Sequence, residues 1–144
     1  MKKGFAFLLS VILFALVGCG GKVSLVGKVT YSDDDSPLTT GVVCFESDTH
    51  TSLGTLQSDG TFRVGSLSEK DGIPPGTYRV YVSGALREIG VDRYGELLHE
   101  SLIDDKFTSG LTSGLTVSVP APSGKYDFQV DRYVPTTEMR QRRW

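Results

Sequence analysis

The residue types in this chain that most often do chemistry are two histidines, His50 and His99, and two cysteines, Cys19 and Cys44. A zinc site takes three or four His, Cys or acidic ligands, and a nucleophile needs a base within hydrogen-bond reach. Both histidines are predicted to lie on loops, their spacing matches no ligand pattern, and no Gly-x-Ser-x-Gly sequence occurs. The sequence therefore predicts no catalytic residue, no bound metal and no cofactor, and we do not expect an enzyme.

Two short acidic runs are the remaining candidates for cation binding: Asp33, Asp34 and Asp35 in one turn, and Asp104 and Asp105 in another. Hard cations such as Ca²⁺ prefer oxygen ligands clustered in flexible loops. Neither run has the Asp-x-Asp-x-Asp-Gly spacing of a calcium loop, and the carboxylates of adjacent residues near a strand end usually point apart. Solubilising turns are therefore the favoured interpretation, with a calcium site as the alternative.

Cys44 lies in an apolar sequence, Gly-Val-Val-Cys-Phe at residues 41–45, which is typical of a buried strand. A reactive thiol needs an electropositive setting. The neighbours Val43 and Phe45 do not provide one, and Glu46 opposes it. Cys44 is therefore predicted to be a small, strand-packed residue.

The N-terminal segment has the pattern of an export signal. Lys2 and Lys3 precede residues 5–17, a run of thirteen residues that is apolar except for Ser10. Thirteen residues are too few to span a bilayer as a helix, which needs about 20. They fit the apolar region of a signal peptide instead.

The sequence that closes this segment, Leu-Val-Gly-Cys at residues 16–19, resembles the lipobox of bacterial lipoproteins. The resemblance implies cleavage before Cys19, attachment of a diacylglycerol to its thiol and acylation of the new amine. Residues 1–18 are then a signal peptide, and residues 19–22 are a lipidated tether of roughly 10–14 Å, at ~3.5 Å per residue. Each buried CH₂ contributes about 0.8 kcal/mol, so several acyl chains would hold Cys19 on the membrane. The alternative is an ordinary secretory signal that ends near a cysteine.

Length and charge narrow the class of protein further. Removal of residues 1–18 leaves 144 − 18 = 126 residues, the size of one domain. Loss of Lys2 and Lys3 leaves 15 − 2 = 13 basic residues against 17 acidic ones, a net charge near −4. This balance argues against a nucleic acid as a partner.

Apolar and polar residues alternate with period two from residue 22 onward, which is typical of β-strands. Together with the Asp59-Gly60 hairpin signal, the pattern predicts an all-β fold, a seven-stranded antiparallel sandwich over residues 23–133. The seven predicted strands are residues 22–31, 41–45, 52–57, 61–64, 77–83, 115–119 and 126–130. The predicted core consists of Val29, Val43, Phe45, Phe62, Tyr78, Val80, Val82, Val117, Phe128 and Val130.

One long, charged segment, residues 85–106, interrupts the strand pattern. Residues 94–102 within it could form about two helical turns. A loop of this length in a compact domain is either functional or poorly ordered. The sequence leaves both interpretations open.

Several segments, taken in order, resemble carboxypeptidase regulatory-like (transthyretin-like) sandwich domains. They are Gly-Lys-Val-Thr-Tyr at 27–31, Gly-Val-Val-Cys-Phe at 41–45, Asp-Gly-Thr-Phe at 59–62 and Pro-Pro-Gly-Thr-Tyr-Arg-Val at 74–80. Later segments, at 103–107, 113–116 and 126–128, resemble the small lipoproteins of planctomycete-type bacteria. The resemblance implies a transthyretin-like or Ig-like sandwich without a shared catalytic motif. Hydroxyisourate hydrolases of this fold carry a C-terminal Tyr-Arg-Gly-Ser motif, which this chain lacks.

These observations predict an exported cell-envelope lipoprotein, held at Cys19 on the outer membrane or another extracytoplasmic face. We expect a non-catalytic structural or protein-interaction role, with an envelope protein as partner. The alternative is a module that binds carbohydrate or cell-wall polymer through exposed aromatic residues. The candidate aromatic residues are Tyr81, Tyr94, Tyr133 and Trp144.

The C-terminal tail, residues 134–144, is basic. Arg140, Arg142 and Arg143 are opposed only by Glu138. We expect this tail to contact an anionic or protein partner, and the alternative is a frayed terminus in solvent.

Overall fold

The structure, a computed structural model, describes residues 21–65 and 71–135 and is all-β apart from one short 3-10 turn. All seven predicted strands are present, which confirms that the fold is all-β, and two further strands lie in the segment that was predicted to be a loop. The strands are β1 (Leu25–Tyr31), β2 (Val42–Glu46), β3 (Thr51–Thr55), β4 (Thr61–Val64), β5 (Gly76–Ser83), β6 (Leu86–Val91), β7 (Leu97–Ser101), β8 (Leu115–Val119) and β9 (Phe128–Val130). The 3-10 turn, Asp105–Thr108, lies between β7 and β8.

The strands form two larger sheets and one separate hairpin. A four-stranded antiparallel sheet has the order β3-β2-β5-β8, and a three-stranded sheet has the order β4-β1-β9. The prediction of an antiparallel sandwich is wrong at one pair, because β1 and β9 are parallel, with Val29 opposite Phe128. The reason is topological: the first and last of seven alternating strands run the same way, and here they are neighbours.

The core lies between the two larger sheets and is aromatic at its centre. The ring centroid of Phe45 on β2 lies 6.0 Å from Phe62, 6.0 Å from Phe128 and 6.4 Å from Tyr78. Because Phe62 and Phe128 belong to the other sheet, these contacts join the two layers. Burial of such side chains is the dominant favourable term in folding.

Eight of the ten predicted core residues are buried, and two are only partly buried. The exceptions are Val117 on β8 and Phe128 on β9. Both strands form an edge of their sheet, so no neighbouring strand covers one side of these residues. Val117 and Phe128 therefore face the core as predicted, but they are less deeply buried than expected.

Two glycines show why the sequence folds this way locally. Gly60 has φ +79° in the turn between β3 and β4, as the Asp59-Gly60 pair predicted. Asp59 closes the turn, since its Oδ1 accepts a hydrogen bond from the Thr61 N–H at 3.0 Å. At Gly27 on β1, an added Cβ would lie 2.1 Å from the Tyr126 carbonyl oxygen. The backbone near Tyr126 thus approaches β1 closely enough to require glycine.

The hairpin β6–β7, with its turn, spans residues 86–101 and is called the arm. The prediction of helical turns over residues 94–102 is wrong, because this sequence closes a hairpin. Asp92 Oδ1 accepts hydrogen bonds from the N–H groups of Tyr94 and Glu96, at 2.8 and 2.9 Å, and Gly95 has φ +85°. A carboxylate cap followed by a left-handed glycine favours a turn over a helix.

The arm projects from the end of the sandwich at which β1 finishes, which is called the Tyr31 end. The Tyr31 hydroxyl donates a hydrogen bond to the Leu102 carbonyl at 3.4 Å, and the Leu102 N–H donates to Ala85 at 2.8 Å. The described chain begins at the opposite end, where Val23 pairs with Ile73. Within residues 21–65 and 71–135, no helix is long and apolar enough to cross a membrane.

Candidate interaction site

The arm carries most of the large hydrophobic side chains that are exposed in the described ranges. All residues of β6 are exposed, and so are the first three residues of β7. Of ten large hydrophobic side chains exposed in the described ranges, six belong to the arm: Leu86, Ile89, Val91, Tyr94, Leu97 and Leu98. Clustering of this kind marks interaction surfaces, whereas isolated exposed apolar residues need no explanation.

The pairing of β6 with β7 places this apolar surface on both faces of the arm. Val91 is opposite Leu97, and Leu86 is opposite Ser101, on one face. Leu98 is on the other face, since side chains alternate along a strand. An isolated two-stranded hairpin is marginally stable in water, and a sheet normally buries one face. The arm thus exposes apolar side chains on both faces, and a surface that covered one face would stabilise the hairpin.

The root of the arm is fixed by a charged pair. The Arg87 Nε donates a hydrogen bond to Glu100 Oε2 at 3.1 Å, and a terminal guanidinium nitrogen contacts the same oxygen. Glu100 is 8 % exposed, so this ion pair lies in a largely desolvated setting, where removal of one partner is costly. The pair is directly opposite across the two strands, which holds their register beside the sandwich.

A second charged cluster lies at the same end and is centred on Arg132. Its Nε donates to Asp33 Oδ2 and a terminal nitrogen donates to Asp34 Oδ2, both at 2.9 Å. The guanidinium carbon also lies 3.7 Å from the centroid of the Tyr31 ring. The two aspartates therefore converge on one cation, whereas their carboxylates were expected to point apart, and both remain about half exposed in the turn.

The electrostatics of this cluster follow from its hydrogen bonds. The pKa of Asp34 is lowered from 3.8 to about 2, chiefly because the Ser36 hydroxyl and N–H donate to its carboxylate and Arg132 lies beside it. The pKa of Asp131 is also lowered, by hydrogen bonds from Lys106 and Ser32. Each carboxylate is thus held ionised, and each is already bonded to groups of this chain.

Asp104 of the second acidic run is also bonded within the chain. Asp104 Oδ1 accepts a hydrogen bond from the Lys106 N–H at 3.0 Å and begins the 3-10 turn. In the described ranges, no three His, Cys, Asp or Glu residues lie together as metal ligands. His50 lies in the loop after β2 and His99 lies on β7, at opposite ends of the sandwich. The prediction that His99 lies on a loop is wrong, because this residue pairs with Glu88 in the arm.

A groove of about 330 Å³ lies between the arm and the sandwich and is lined by Tyr31, Arg87, Glu100, Arg132, Tyr133 and Pro135, among others. Its two guanidinium groups are both paired with carboxylates of this chain. A larger groove of about 670 Å³ lies at the opposite end, beside His50 and Pro75. Its cation, Arg79, lies 3.7 Å from Glu46 and 3.6 Å from Asp48.

The aromatic residues proposed for sugar binding are not gathered on one surface. Tyr81 is half-buried near Gly110, whereas Tyr94 is 77 % exposed at the tip of the arm, with Arg93 over its ring. Tyr133 lines the groove at the Tyr31 end. Trp144 lies outside the described residues. The contiguous aromatic strip that would favour carbohydrate binding is thus not formed by the three described members.

Of the two cysteines, only Cys44 lies among the described residues. Cys44 is free, 4 % exposed and strand-packed, as predicted. Burial raises the pKa of its thiol and so disfavours the thiolate, the form that acts as a nucleophile. Cys19, the predicted lipidation residue, lies outside the described residues, as do the signal peptide (residues 1–18) and residues 136–144 of the basic tail.

Sequence reasoning left the arm open between a functional and a poorly ordered loop, and it missed both its hairpin structure and the contacts of Arg132. The arm could have been found from apolar residues set in a charged segment around an Asp-x-x-Gly turn, Asp92 to Gly95. Arg132 offered no local signal, since its acidic partners are about a hundred positions away, at |i−j| of 99 and 98.

No protein-family model, curated protein or solved structure matches this chain.

Proposed function

We propose that this protein is a membrane-anchored lipoprotein of the cell envelope, with a non-catalytic role in binding another protein. The observation that carries the proposal is the arm, whose apolar side chains are exposed on both faces. A surface of this kind suits a protein partner, which can bury apolar area and pair with the backbone edges of a hairpin.

The proposed anchor is Cys19, for which the apolar run at residues 5–17 and the lipobox-like sequence are the support. Residue 21 belongs to the end of the sandwich opposite the arm. A lipid at Cys19 would hold that end close to the bilayer, because the tether is short. The arm would then face away from the membrane, where an envelope protein could reach it.

We further propose that the sandwich is of the transthyretin-like or carboxypeptidase regulatory-like type. Seven strands in two packed sheets are consistent with this. The arm is an insertion between the fifth and sixth of these strands. Such insertions on a rigid scaffold commonly carry binding function.

The anchor is tested by intact mass measurement on the membrane fraction of cells that express the wild type or Cys19→Ala. The expected result is a chain that begins at Cys19 and carries acyl mass, which the variant lacks. An unmodified chain in the soluble fraction would contradict the lipoprotein proposal.

The interaction role is tested by placing a photo-crosslinking amino acid at Val91 in the arm. The matched control is the same group at Leu111, which is 83 % exposed outside the arm. The expected result is a discrete crosslinked product in cells from position 91 and none from position 111. Equal products from both positions, or none from either, would contradict a specific interaction through the arm.

Carbohydrate or cell-wall polymer binding is the second candidate. The observation in its favour is the groove at the Tyr31 end, where Tyr133 lies near the charged side chains of Arg87 and Glu100. Binding to purified cell-wall polymer that is abolished by Tyr133→Ala and kept by Tyr94→Ala would support it.

A further inference from the structure

The net charge of the described chain is concentrated at the Tyr31 end. Residues 21–65 and 71–135 carry nine basic and fifteen acidic side chains, a formal charge of 9 − 15 = −6 with neutral histidines. The arm accounts for 2 − 4 = −2 of this charge. The acidic turns, defined as residues 33–35 and 104–106 with Asp131 and Arg132, account for 2 − 6 = −4. The remainder of the described chain is therefore neutral, with five side chains of each sign.

The acidic turns adjoin the root of the arm. The hydroxyl of Tyr31, which ends β1 before the first turn, donates a hydrogen bond to the carbonyl of Leu102, which follows β7 directly. The second turn is joined to the end of β9, because the Asp104 N–H donates to the Asp131 carbonyl at 2.9 Å. The carboxylates of both turns therefore lie beside the base of the hairpin.

The negative charge of the acidic turns exceeds what their own cations neutralise. The two cations pair with three of the six carboxylates. Asp35 and Asp105 are exposed, and neither forms an ion pair within the described ranges. The Asp35 Oδ1 accepts a hydrogen bond from the neutral amide of Gln129 at 2.7 Å. A surplus of negative charge at one end of a molecule attracts cationic groups of another molecule.

The arm has an apolar face that points away from the sandwich. Arg87 and Glu100 lie on one face of the hairpin and line the groove beside the sandwich. Because side chains alternate along a strand, Leu86, Val91 and Leu97 lie on the opposite face, which is called the outer face. All three are exposed. The outer face thus presents apolar side chains next to a strongly acidic surface.

We propose that the Tyr31 end binds a basic polypeptide segment of another protein. Apolar side chains of this segment cover the outer face of the arm, and its lysine or arginine side chains pair with carboxylates of the acidic turns. This inference rests on the proposed function, since it specifies the partner for the same surface. It names the chemistry of that partner, which the apolar residues by themselves do not.

The charge of this end decides which occupant fits the outer face. A second copy of the chain would bring the same end, with the same negative charge, against the first. Like charges brought together at an interface cost several kcal/mol and suppress such pairing. An anionic lipid surface is repelled for the same reason. A basic polypeptide gains electrostatic attraction and also buries apolar area, so it alone among these satisfies both features of the surface.

A labelled synthetic peptide of alternating lysine and valine is the probe, and fluorescence anisotropy measures its affinity for the purified protein. Asp35→Asn with Asp105→Asn removes two charges beside the arm. The matched control, Asp48→Asn with Asp127→Asn, removes two exposed charges outside the Tyr31 end. The first pair should weaken binding by about threefold to tenfold at low salt, and the second should not. Equal weakening by both pairs, or no binding of the probe, would overturn the proposal.

The apolar part of the contact is tested separately. Val91→Thr with Leu97→Thr keeps residues that favour strands but removes apolar side chains from the outer face. This pair should weaken binding of the probe at low and at high NaCl, whereas the effect of the aspartate changes should disappear at high NaCl. Leu111→Thr, at a site outside the arm, is the control and should bind as the wild type does. Unchanged binding by the paired variant would overturn the proposal.

Crosslinking from Val91 in cells separates this inference from the proposed function. A discrete product that is lost with Asp35→Asn and Asp105→Asn, but kept with Asp48→Asn and Asp127→Asn, would support a basic partner. The crosslinked peptide of the partner should then carry a net positive charge. A product that is unchanged by all of these substitutions would keep the interaction role and overturn the basic partner. No product from the wild type would contradict both.

Discussion

The guanidinium of Arg132 stacks on the ring of Tyr31, with the cation 3.7 Å from the ring centroid. The same guanidinium donates to two aspartates in the turn after β1. The last described residues of the chain are thereby joined to the end of its first strand, next to the root of the arm. Arginine can make both hydrogen bonds and stack on the ring because its guanidinium is planar and has several N–H donors. The single ammonium group of lysine cannot do this.

Arg132→Lys should lower the urea midpoint of unfolding, because lysine cannot bond both aspartates and stack on Tyr31 at once. Arg63→Lys, at an exposed position on β4, is the matched control and should leave the midpoint unchanged. An Arg132→Lys midpoint equal to that of the wild type would show that the cluster adds nothing to stability.

Asp34 should make stability depend on pH in the acid range. Its pKa is about 2 in the folded protein against an ordinary 3.8, so the folded state favours the ionised form. The stabilisation is present above about pH 4 and is lost as the pH falls toward 2. Unfolding of Asp34→Asn, followed by urea titration from pH 5 to 2, should therefore vary less with pH than that of the wild type. An equal pH dependence in Asp34→Asn and the wild type would contradict this role of Asp34.

The two phenylalanines that face each other across the core should differ in what they contribute. Phe45 is fully buried, so Phe45→Ala should lower the free energy of unfolding by about 3–5 kcal/mol. Phe128 is partly buried at a sheet edge, so Phe128→Ala should cost less. Urea unfolding of both variants measures the difference. Equal losses would mean that β9 is covered more completely than the structure shows.

Gly27→Ala should destabilise the fold strongly, because its Cβ would meet the Tyr126 carbonyl oxygen at 2.1 Å. A backbone atom cannot move aside as a flexible side chain can. Gly76→Ala is the control, since its nearest neighbour is an atom of Tyr78 at an ordinary 3.6 Å. Thermal unfolding of the two variants should show a large loss for the first and little change for the second.

Local pattern was enough to predict the seven strands and the turn at Gly60, because period-two alternation and an Asp-Gly pair act over a few residues. It was not enough to place Phe128 at a sheet edge. Whether a strand lies at the edge of a sheet depends on which strands become its neighbours. The sequence of a single short strand does not contain this information. The parallel neighbour of β1 comes from the other end of the domain.

The candidate site was less predictable than the fold. The arm combines charged residues with a bulge between Glu88 and Gly90, which breaks the alternation that would reveal a strand. The cluster around Arg132 forms only when β1 and β9 are paired, so its members are not near one another in sequence. The alternation of apolar and polar residues is enough to predict a buried strand. Contacts such as those of Arg132 depend instead on which strands become neighbours in the fold.

The parallel pairing of β1 with β9 has a mechanical consequence. The chain enters β1 at one end of the sandwich and leaves β9 at the other, and the two strands are joined from Val29 and Phe128 to Tyr31 and Val130. Tension applied across the domain would load these hydrogen bonds in shear, so they would have to break together rather than one after another. This shear geometry should resist a pulling force better than a geometry in which the same hydrogen bonds are loaded one at a time.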